Sequence, residues 1–255
     1  MQVRVCASSE ELMARMEPLF PPNARRLQAR LTVGHRIGIV EEDDGTYSVY
    51  NGATRVNEGG GVELSLVVFD GQVRSYVAVH APDYIFVHAG AVALDGKALV
   101  LPGDSFAGKT TLVEALVRAG AAYYSDEFAV FDSEGLCHPY PKPLSLRPRW
   151  VDENSPQGPQ VEQAVESLGG VAGEGAIPMG MAVITYYVPG SESRPRELGR
   201  GEAALALIAK AVPTRNRPQQ TLATLSRAID GAVVLEGERG EAEEFAAMLR
   251  DRVMA

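Results

Sequence analysis

A glycine-rich stretch, "LPGDSFAGKTTL", constrains the fold most, because it lies between an apolar run and an amphipathic run. Residues 103–110 match the pattern G-x-x-x-x-G-K-[ST], whose glycines let backbone N–H groups converge on phosphate oxygens. In this pattern the lysine neutralises the β and γ phosphates, and the hydroxyl that follows binds magnesium. The sequence therefore predicts a strand, a phosphate loop and a helix in this order, with a plain strand-to-helix turn as the alternative.

The predicted phosphate site takes in the whole loop and the start of the helix after it. Apolar residues that recur every three or four positions from Leu112 to Ala119 predict this helix, and Gly120 is placed to end it. The predicted phosphate-binding residues are Gly103, Asp104, Ser105, Phe106, Ala107, Gly108, Lys109, Thr110 and Thr111.

The segment before the loop predicts a hairpin that brings a histidine to the loop. Two apolar runs flank Asp95 and Gly96, a dipeptide that closes two-residue hairpins. If these two residues form the turn and the ladder has no bulge, His88 lies opposite Gly103. A histidine there acts as an acid/base partner or orients a carboxylate. The alternative is a histidine that is bonded to nearby backbone.

Two adjacent acids, Asp126 and Glu127, follow 17 and 18 residues after Lys109. One helix and a short return segment separate them from the lysine, so the chain comes back near the loop. Paired acids beside an apolar strand are costly unless they are paired or used, and here they are predicted to hold Mg²⁺ or to accept a proton from a hydroxyl. A solvated turn is the alternative. No later apolar strand ends in aspartate, which argues against GTPases, transporter ATPases and helicases.

Three arginines and one glycine-rich segment are weaker candidates. Arg147, in "LSLRPRW", is placed to reach a phosphate or a substrate carboxylate, unless it is a surface residue on an extended loop. Arg215 and Arg217, in "PTRNRP", are candidates for contact with a transferred phosphoryl group, and a solvated loop is the alternative. Residues 169–176, "GGVAGEGA", are interpreted as a lid or as a disordered loop.

The remaining patterns predict a chain of mixed α and β structure with hairpins as well as helix crossovers. Residues 1–80 form a small N-terminal α+β region, and residues 81–255 form the domain that carries the phosphate loop. Val62 to His80 is ambiguous between strand and helix, and residues 57–61 are the most linker-like. Beyond residue 135 the expectation is an extended loop over 136–156, a short polar helix and a flexible stretch over 161–178, a strand in "MAVITYYVP", helices over 201–212 and 219–229, a strand in "AVVLEG" and a closing helix over 241–253.

Composition excludes some partners. The net charge is -9 and no block of arginine or lysine stands out, so nucleic acid and anionic membranes are not expected partners. No apolar run of about 18 residues predicts a spanning helix, and no signal peptide is evident, so the expectation is a cytoplasmic protein. Cys6 and Cys137 fit a reducing compartment, and neither has the spacing of zinc ligands.

Three segments, "FVHAGAV", "LPGDSFAGKTTL" and "YYSDEFAVFD", follow one another at close spacing. In the order and spacing of these segments the chain resembles the HPr kinase/phosphorylase superfamily, which shares its kinase core with phosphoenolpyruvate carboxykinase. The resemblance covers residues 86–147 well and the C-terminal third weakly. It implies a P-loop kinase core of this type, with ATP and Mg²⁺ bound by the loop. His88 then matches the active-site histidine, Asp126 the acceptor of the hydroxyl proton, and Glu127 the second, metal-binding acid.

Departures from the family's regulatory kinases narrow the expected activity. The second acid is glutamate rather than aspartate, Thr111 stands where the regulators carry glutamate, and their downstream glycine-rich signature is not evident. These differences argue against phosphorylase activity and against HPr as the substrate. The family's hexamers leave a homo-oligomer open. The sequence thus predicts an ATP- and Mg²⁺-dependent kinase for a serine-like hydroxyl on a peptide, protein or small molecule. A nucleotide-binding module without catalysis and a carboxykinase-like step on a small acid are the alternatives.

Overall fold

The computed structural model describes residues 1–27, 34–104, 107–146 and 161–254. The chain divides into two compact units, Met1–Pro82 and Asp83–Ala255. Both units contain helices and strands, and the sheets mix parallel with antiparallel pairs. The structure therefore confirms the prediction of a mixed α and β chain.

The first unit is a four-stranded sheet with two helices. Its elements are β1 (Arg4–Ala7), α1 (Glu10–Met16), a 3₁₀ turn (Glu17–Leu19), β2 (Arg36–Glu41), β3 (Tyr47–Asn51), β4 (Thr54–Arg55) and α2 (Val62–His80). The strands lie in chain order, and only β1 and β2 pair in parallel. The ambiguous segment is the helix α2, because Leu66, Phe69 and Val73 recur at helical spacing and are buried in the core of this unit. Residues 57–61 join β4 to α2 within the unit.

The second unit is built on a larger mixed sheet. Its strands are β5 (Ile85–Leu94), β6 (Lys97–Pro102), β7 (Ala122–Ser125), β8 (Phe128–Phe131), β9 (Cys137–His138), β10 (Leu144–Leu146), β11 (Val161–Gln163), β12 (Met179–Tyr187), β13 (Arg196–Glu197) and β14 (Val233–Arg239). Its helices are α3 (Lys109–Arg118), α4 (Arg200–Ile208), α5 (Pro218–Ala228) and α6 (Ala242–Met254), with 3₁₀ turns at Val165–Leu168 and Val212–Arg215.

Helices cover both faces of this sheet. The strand order is β13-β14-β12-β6-β5-β8-β9, and β7 also pairs with β5, while β10 and β11 form a separate antiparallel pair. Along β6, Leu99 and Leu101 pack into the core that contains α3 and α6, whereas Ala98 and Val100 pack into the core that contains α4 and α5. This alternation has the period of two that a strand buried on both faces requires. The result is three layers, with the sheet in the middle.

The hairpin of β5 and β6 has the register that the sequence predicts. Leu94 lies opposite Lys97 and Ala89 lies opposite Pro102, without a bulge. Asp95 and Gly96 both have positive φ, of 48° and 70°, which the tight two-residue turn requires. The Gly103 N–H donates to the carbonyl oxygen of His88 at 3.3 Å. The open end of the hairpin therefore holds the start of the glycine-rich loop.

The other edge of β5 pairs with the returning chain. β8 and β7 both run antiparallel to β5, and the register shifts by one residue between Ala91 and Val92. Between these strands the Glu127 carbonyl oxygen accepts from the Ala89 N–H at 3.1 Å. The strand β5 is thus flanked by the glycine-rich loop on one side and by the acidic pair on the other.

A glycine in β5 lets helix α3 approach the sheet closely. A Cβ at Gly90 would lie 2.6 Å from Cγ2 of Val113, which is buried on α3. Valine is β-branched and has little rotamer freedom in a helix, so it cannot turn away. The position of α3, and with it the start of the helix after the loop, therefore depends on the absence of a side chain here.

The glycine-rich segment at 169–176, which the sequence suggests as a lid or a disordered loop, is hydrogen-bonded to β7 of the sheet. The Tyr123 N–H donates to the Val171 carbonyl oxygen at 2.8 Å, and the Gly173 N–H donates back to Tyr123 at 2.7 Å. The Tyr124 hydroxyl lies 2.9 Å from the Glu174 carbonyl oxygen, and its ring fills the space of a Cβ at Gly173. Close packing, rather than freedom of movement, explains the glycine there.

Smaller expectations also differ from the structure. Residues 161–163 are a strand rather than the start of a polar helix, because they pair with β10. The basic loop at 213–218 is largely a 3₁₀ turn, and Pro218 begins α5, since proline suits the first helical position. The extended loop expected over 136–156 contains the short strands β9 and β10 within its described part. No helix in the described part of the chain is long and apolar enough to cross a membrane.

Substitution of Gly90 by alanine is expected to destabilise the second unit by about 1–3 kcal/mol, since overpacking forces α3 away from the sheet. The matched control is Gly201→Ala, at an exposed helical position where a Cβ meets nothing within 4 Å. This control is expected to change stability by no more than about 1 kcal/mol, in the stabilising direction. Urea unfolding of both variants measures the difference, and equal effects would contradict the packing argument.

Candidate functional site

The predicted phosphate loop connects β6 to α3, as its pattern requires. Gly108 is the N-cap of α3 and has a φ of 78°, a left-handed conformation that glycine adopts without strain. The Lys109 ammonium donates to the Asp104 carbonyl oxygen at 2.7 Å, so the side chain folds back over its own loop. Thr110 is half-buried and Thr111 is exposed in the first turn of α3. Ser105 and Phe106 lie outside the described residues.

The charge of Lys109 links the loop to the acidic pair. Burial lowers the pKa of this ammonium, and the negative charges of Asp104, Asp126 and Glu127 act in the opposite direction. Charges in contact with salt solution influence each other mainly within roughly 10 Å. Asp126 and Glu127 are therefore near enough to Lys109 for their charges to affect its pKa.

A second lysine, Lys210, meets the loop from the segment after α4. Its ammonium lies 2.7 and 2.8 Å from the two carboxylate oxygens of the exposed Asp104. Its backbone carbonyl oxygen accepts from the His88 N–H at 2.8 Å, which fixes this segment against β5. The ion pair lowers the pKa of the Asp104 carboxyl. Sequence patterns did not identify Lys210, because it comes from a distant segment without a motif of its own.

His88 is bonded to the loop through its side chain as well as its backbone. Its Nδ1 lies 2.9 Å from the Gly103 carbonyl oxygen, an acceptor, so Nδ1 carries the proton. Burial lowers the pKa of the imidazole, and the nearby Lys109 charge lowers it further. At neutral pH the ring is therefore uncharged, and Nε2 carries a lone pair. The bond to backbone does not exclude a role in proton transfer, since it sets the tautomer that leaves Nε2 able to accept.

Asp126 is buried and its carboxylate is held by two donors. The Tyr123 hydroxyl lies 3.0 Å from Oδ1, and the Ser145 N–H donates to Oδ2 at 3.3 Å. The Tyr123 hydroxyl is also 3.0 Å from the Lys142 carbonyl oxygen, which is a second acceptor for its single proton. Burial raises the pKa of Tyr123, and the Asp126 charge raises it further, so the phenol stays protonated. The phenol can donate to an ionised Asp126, or accept from a protonated one while it donates to Lys142.

A serine fixes the turn that presents the two acids. The buried Ser125 hydroxyl accepts from the backbone N–H groups of Glu127 and Phe128, at 3.2 and 3.1 Å. The Glu127 side chain pairs with the Lys142 ammonium at 3.1 Å, and both side chains are largely buried. The solvated turn is therefore not what the structure contains. Lys142 was not singled out in the sequence, although it lies in the proline-rich stretch that follows the acids.

Thr110 and Glu127 are the predicted magnesium ligands beside the loop. Mg²⁺ in phosphoryl-transfer sites takes one or two protein oxygens, several waters and phosphate oxygens, rather than a cage of side chains. Thr110 and Glu127 supply a hydroxyl and a carboxylate of the kind required. In the described ranges, no cluster of three or more His, Cys, Asp or Glu residues is arranged to hold a metal ion by itself.

The arginine candidates differ in what they contact. Arg147 lies outside the described residues. Arg215 is exposed at the end of a 3₁₀ turn, while Arg217 donates to the Tyr84 carbonyl oxygen at 3.3 Å and to Gln220 at 3.3 Å. The structure therefore shows Arg217 in a bond to the chain just before β5, and contact of either residue with a phosphoryl group stays a prediction.

One arginine that sequence reasoning missed lies against the glycine-rich loop. Arg239, the last residue of β14, donates to the Gly108 carbonyl oxygen at 3.1 Å and is 2 % exposed. The sequence predicts a strand in "AVVLEG", which ends at Gly237, and the structure extends this strand by two residues to Arg239. Parallel strands place their carboxyl ends at one edge of a sheet, where ligands of such sheets bind.

Comparisons with known proteins identify no family for this chain. No family model matches the sequence, and no curated protein matches it. Among solved structures, the HPr(Ser) kinase/phosphatase from Coxiella burnetii is similar, with 12% sequence identity and a TM-score of 0.34. The match covers 66% of this chain and 96% of that one. At these values the likeness indicates a distant structural relationship and carries no argument about function.

The lowered pKa of His88 predicts how stability depends on pH. The unfolded chain protonates this histidine at its ordinary pKa of about 6.5, whereas the folded protein does so only at lower pH. Between these values the unfolded state binds more protons, so the free energy of unfolding falls as the pH falls through about 6.5 and stays lower below the folded pKa. His88→Gln removes this contribution.

Urea unfolding of wild type and His88→Gln at about pH 7.5 and about pH 5.5 measures the effect, on either side of the ordinary histidine pKa. Wild type is expected to lose more stability than the variant on acidification, and other titrating groups cancel in the comparison. Equal losses in the two proteins would contradict a desolvated His88.

Proposed function

We propose that this protein is an ATP- and Mg²⁺-dependent kinase that transfers the γ-phosphoryl group to a hydroxyl acceptor. The observation that carries the proposal is the pairing of β5 on both edges. One edge pairs with the hairpin strand that leads into the glycine-rich loop, and the other pairs with the strands that flank Asp126 and Glu127. The glycine-rich loop and the turn that carries Asp126 thus lie on opposite edges of the middle of β5, beside His88 and Ala89.

The loop supplies the binding half of the proposed reaction. The N–H groups at the start of α3 and the partial positive charge of the helix favour phosphate oxygens. Lys109 exchanges its bond to the Asp104 carbonyl for the β and γ phosphates, and Lys210 adds a second positive charge nearby. Thr110 and Glu127 are the residues proposed to hold Mg²⁺. The ion neutralises charge that develops on the phosphate oxygens during transfer.

The acidic pair supplies the transfer half. The acceptor oxygen forms a bond to the γ phosphorus, the bond to the leaving oxygen of ADP breaks, and the hydroxyl proton passes to Asp126. Tyr123 accommodates the change, since its hydroxyl can accept from the protonated acid while it donates to the Lys142 carbonyl. His88 supports the step as a neutral base. Positioning and charge neutralisation provide most of the rate enhancement in phosphoryl transfer.

The proposed acceptor is a serine-like hydroxyl on a peptide, a protein or a small molecule. An acidic chain with a net charge of -9 is a poor binder of nucleic acid or anionic membranes, so neither is proposed as a partner. A cytoplasmic location is proposed with the kinase, because ATP is the phosphoryl donor.

Lys109→Ala is expected to weaken binding of Mg·ADP roughly 10- to 100-fold, because it removes a charge-assisted hydrogen bond to phosphate. The matched control is Lys97→Ala, which removes an exposed lysine at the start of β6. This control should bind as wild type does. Isothermal titration calorimetry measures both variants, and unchanged binding by Lys109→Ala would contradict the assignment of the loop.

Asp126→Asn is expected to bind Mg·ATP as wild type does but to transfer phosphate on the order of 10²–10⁴ times more slowly, because it cannot accept the proton. Asp95→Asn, in the exposed hairpin turn, is the control and should retain full activity, since asparagine tolerates its positive φ. The measurement is a ³¹P NMR time course with ATP, Mg²⁺ and a panel of hydroxyl acceptors that includes free serine and serine peptides. A new phosphoester resonance of equal intensity with Asp126→Asn would exclude this aspartate as the proton acceptor.

Tyr123→Phe is expected to slow transfer roughly 10-fold at unchanged Mg·ADP affinity, because the carboxylate of Asp126 loses a hydrogen bond. Tyr124→Phe is a close control, since that hydroxyl is bonded to the carbonyl oxygens of Glu174 and Gly175 instead. The rates of the two variants in the ³¹P time course give the comparison. Equal rates would contradict a specific role for Tyr123.

A further inference from the structure

Arg239 is a buried cation whose hydrogen bonds all go to neutral groups. Besides the bond to the Gly108 carbonyl, its other terminal nitrogen donates to the Gly240 carbonyl oxygen at 2.9 Å. The guanidinium carbon lies 5.2 Å from the centre of the Tyr187 ring. Two carbonyl oxygens and an aromatic face contact the guanidinium, but none of them cancels the charge.

No carboxylate in the described ranges lies within ion-pair distance of this guanidinium. Burial lowers the pKa of Arg239, and only the neighbouring Tyr187 side chain and the more distant Glu241 and Glu243 carboxylates oppose the effect. Arginine nevertheless keeps its proton in proteins. The buried Arg74 of the first unit shows the usual arrangement, with the Asp70 carboxylate at 2.7 Å. A buried charge without such a partner is costly unless an anion comes to it.

The position of Arg239 indicates which anion it is placed to meet. The strands β6, β12 and β14 are parallel, so the carboxyl end of β14 lies at the same edge as the glycine-rich loop. Arg239 touches Gly108 there, and a Cβ at Gly108 would overlap the guanidinium. Gly108 is also the N-cap of α3, where the helix carries its partial positive charge, and Lys109 is the first residue of this helix. Arg239 and the positive end of α3 thus meet at Gly108, where a phosphate bound at the start of the helix neutralises both.

We propose that Arg239 is the buried cation of the phosphate site. It acts as a positioning residue: its bond to the Gly108 carbonyl fixes the left-handed turn of the loop, and its charge is neutralised by the phosphates of a bound nucleoside di- or triphosphate. The inference rests on the proposed function, because it assumes that the loop binds such phosphates. It adds to His88 and Asp126 a residue that approaches the loop from β14, 131 positions after Gly108 in the sequence.

The test compares ligands and substitutions that separate charge from hydrogen bonding. Arg239→Gln keeps an N–H donor for the Gly108 carbonyl but removes the charge, whereas Arg239→Lys keeps the charge. Binding of Mg·ADP and of Mg·tripolyphosphate, an anion without a nucleoside, is measured by calorimetry. The control is Arg227→Gln, on α5, whose guanidinium donates to the Ser133 carbonyl oxygen and which is outside the proposed site.

Arg239→Gln is expected to weaken both ligands by about 10-fold or more, the scale of a lost charge interaction, and Arg239→Lys by clearly less. Arg227→Gln should bind both ligands as wild type does. If Arg239→Gln does not fold, Arg239→Met takes its place, because apolar substitutions of similar volume are tolerated at buried charges. Melting temperatures without ligand show whether any loss of binding follows from unfolding.

Two results would overturn the proposal. Wild-type affinity in Arg239→Gln would show that the charge is not part of the phosphate site. Equal losses in Arg239→Gln and Arg239→Lys would show that only the geometry of the guanidinium matters. Failure of the proposed function looks different, since wild type would then bind neither ADP nor tripolyphosphate and Lys109→Ala would change nothing.

Discussion

The antiparallel ladders on the two edges of β5 are the constraint on which the rest of the site depends. A strand has only two hydrogen-bonding edges, and here one edge fixes the start of the glycine-rich loop while the other fixes the turn with the two acids. A slip of one residue would move every side chain of β5 to the other face of the sheet. The register therefore also determines that His88 and Gly90 lie on the face of the sheet that packs against α3. Gly90 then allows α3 to pack close enough to begin at the loop.

Burial gives the charges of this region their effect. Lys109, Asp126 and Arg239 are partly or fully withdrawn from water, where interactions between charges are stronger than at the surface. Each is held by neutral groups, namely backbone carbonyls for the two cations and a phenol and an N–H for the acid. Such an arrangement fixes the geometry of the groups without cancelling their charges. This arrangement suits a site in which a bound ligand supplies the charges that neutralise these groups.

The sequence predicted the parts of the structure that local patterns determine. The turn residues Asp95 and Gly96 give the register of the hairpin, and with it the pairing of His88 and Gly103, since a two-residue turn leaves only one way to count. It could not predict Lys210 or Arg239, because neither belongs to a motif and both approach the loop from elements more than 100 residues away. Nothing in the sequence indicates that residues 169–176 are packed, because a segment with a glycine that packs against Tyr124 has the same composition as a flexible loop. The roles of the site residues stay predictions.

A crystal structure of the protein with Mg²⁺ and a non-hydrolysable ATP analogue tests the central claim most directly. The account predicts that the β phosphate lies in the loop between Gly103 and Thr111, with the γ phosphate directed toward His88 and Asp126. The nucleoside then extends to the opposite side, toward the carboxyl ends of β12 and β14. A nucleotide bound away from this loop, or one whose γ phosphate points away from β5, would contradict the account.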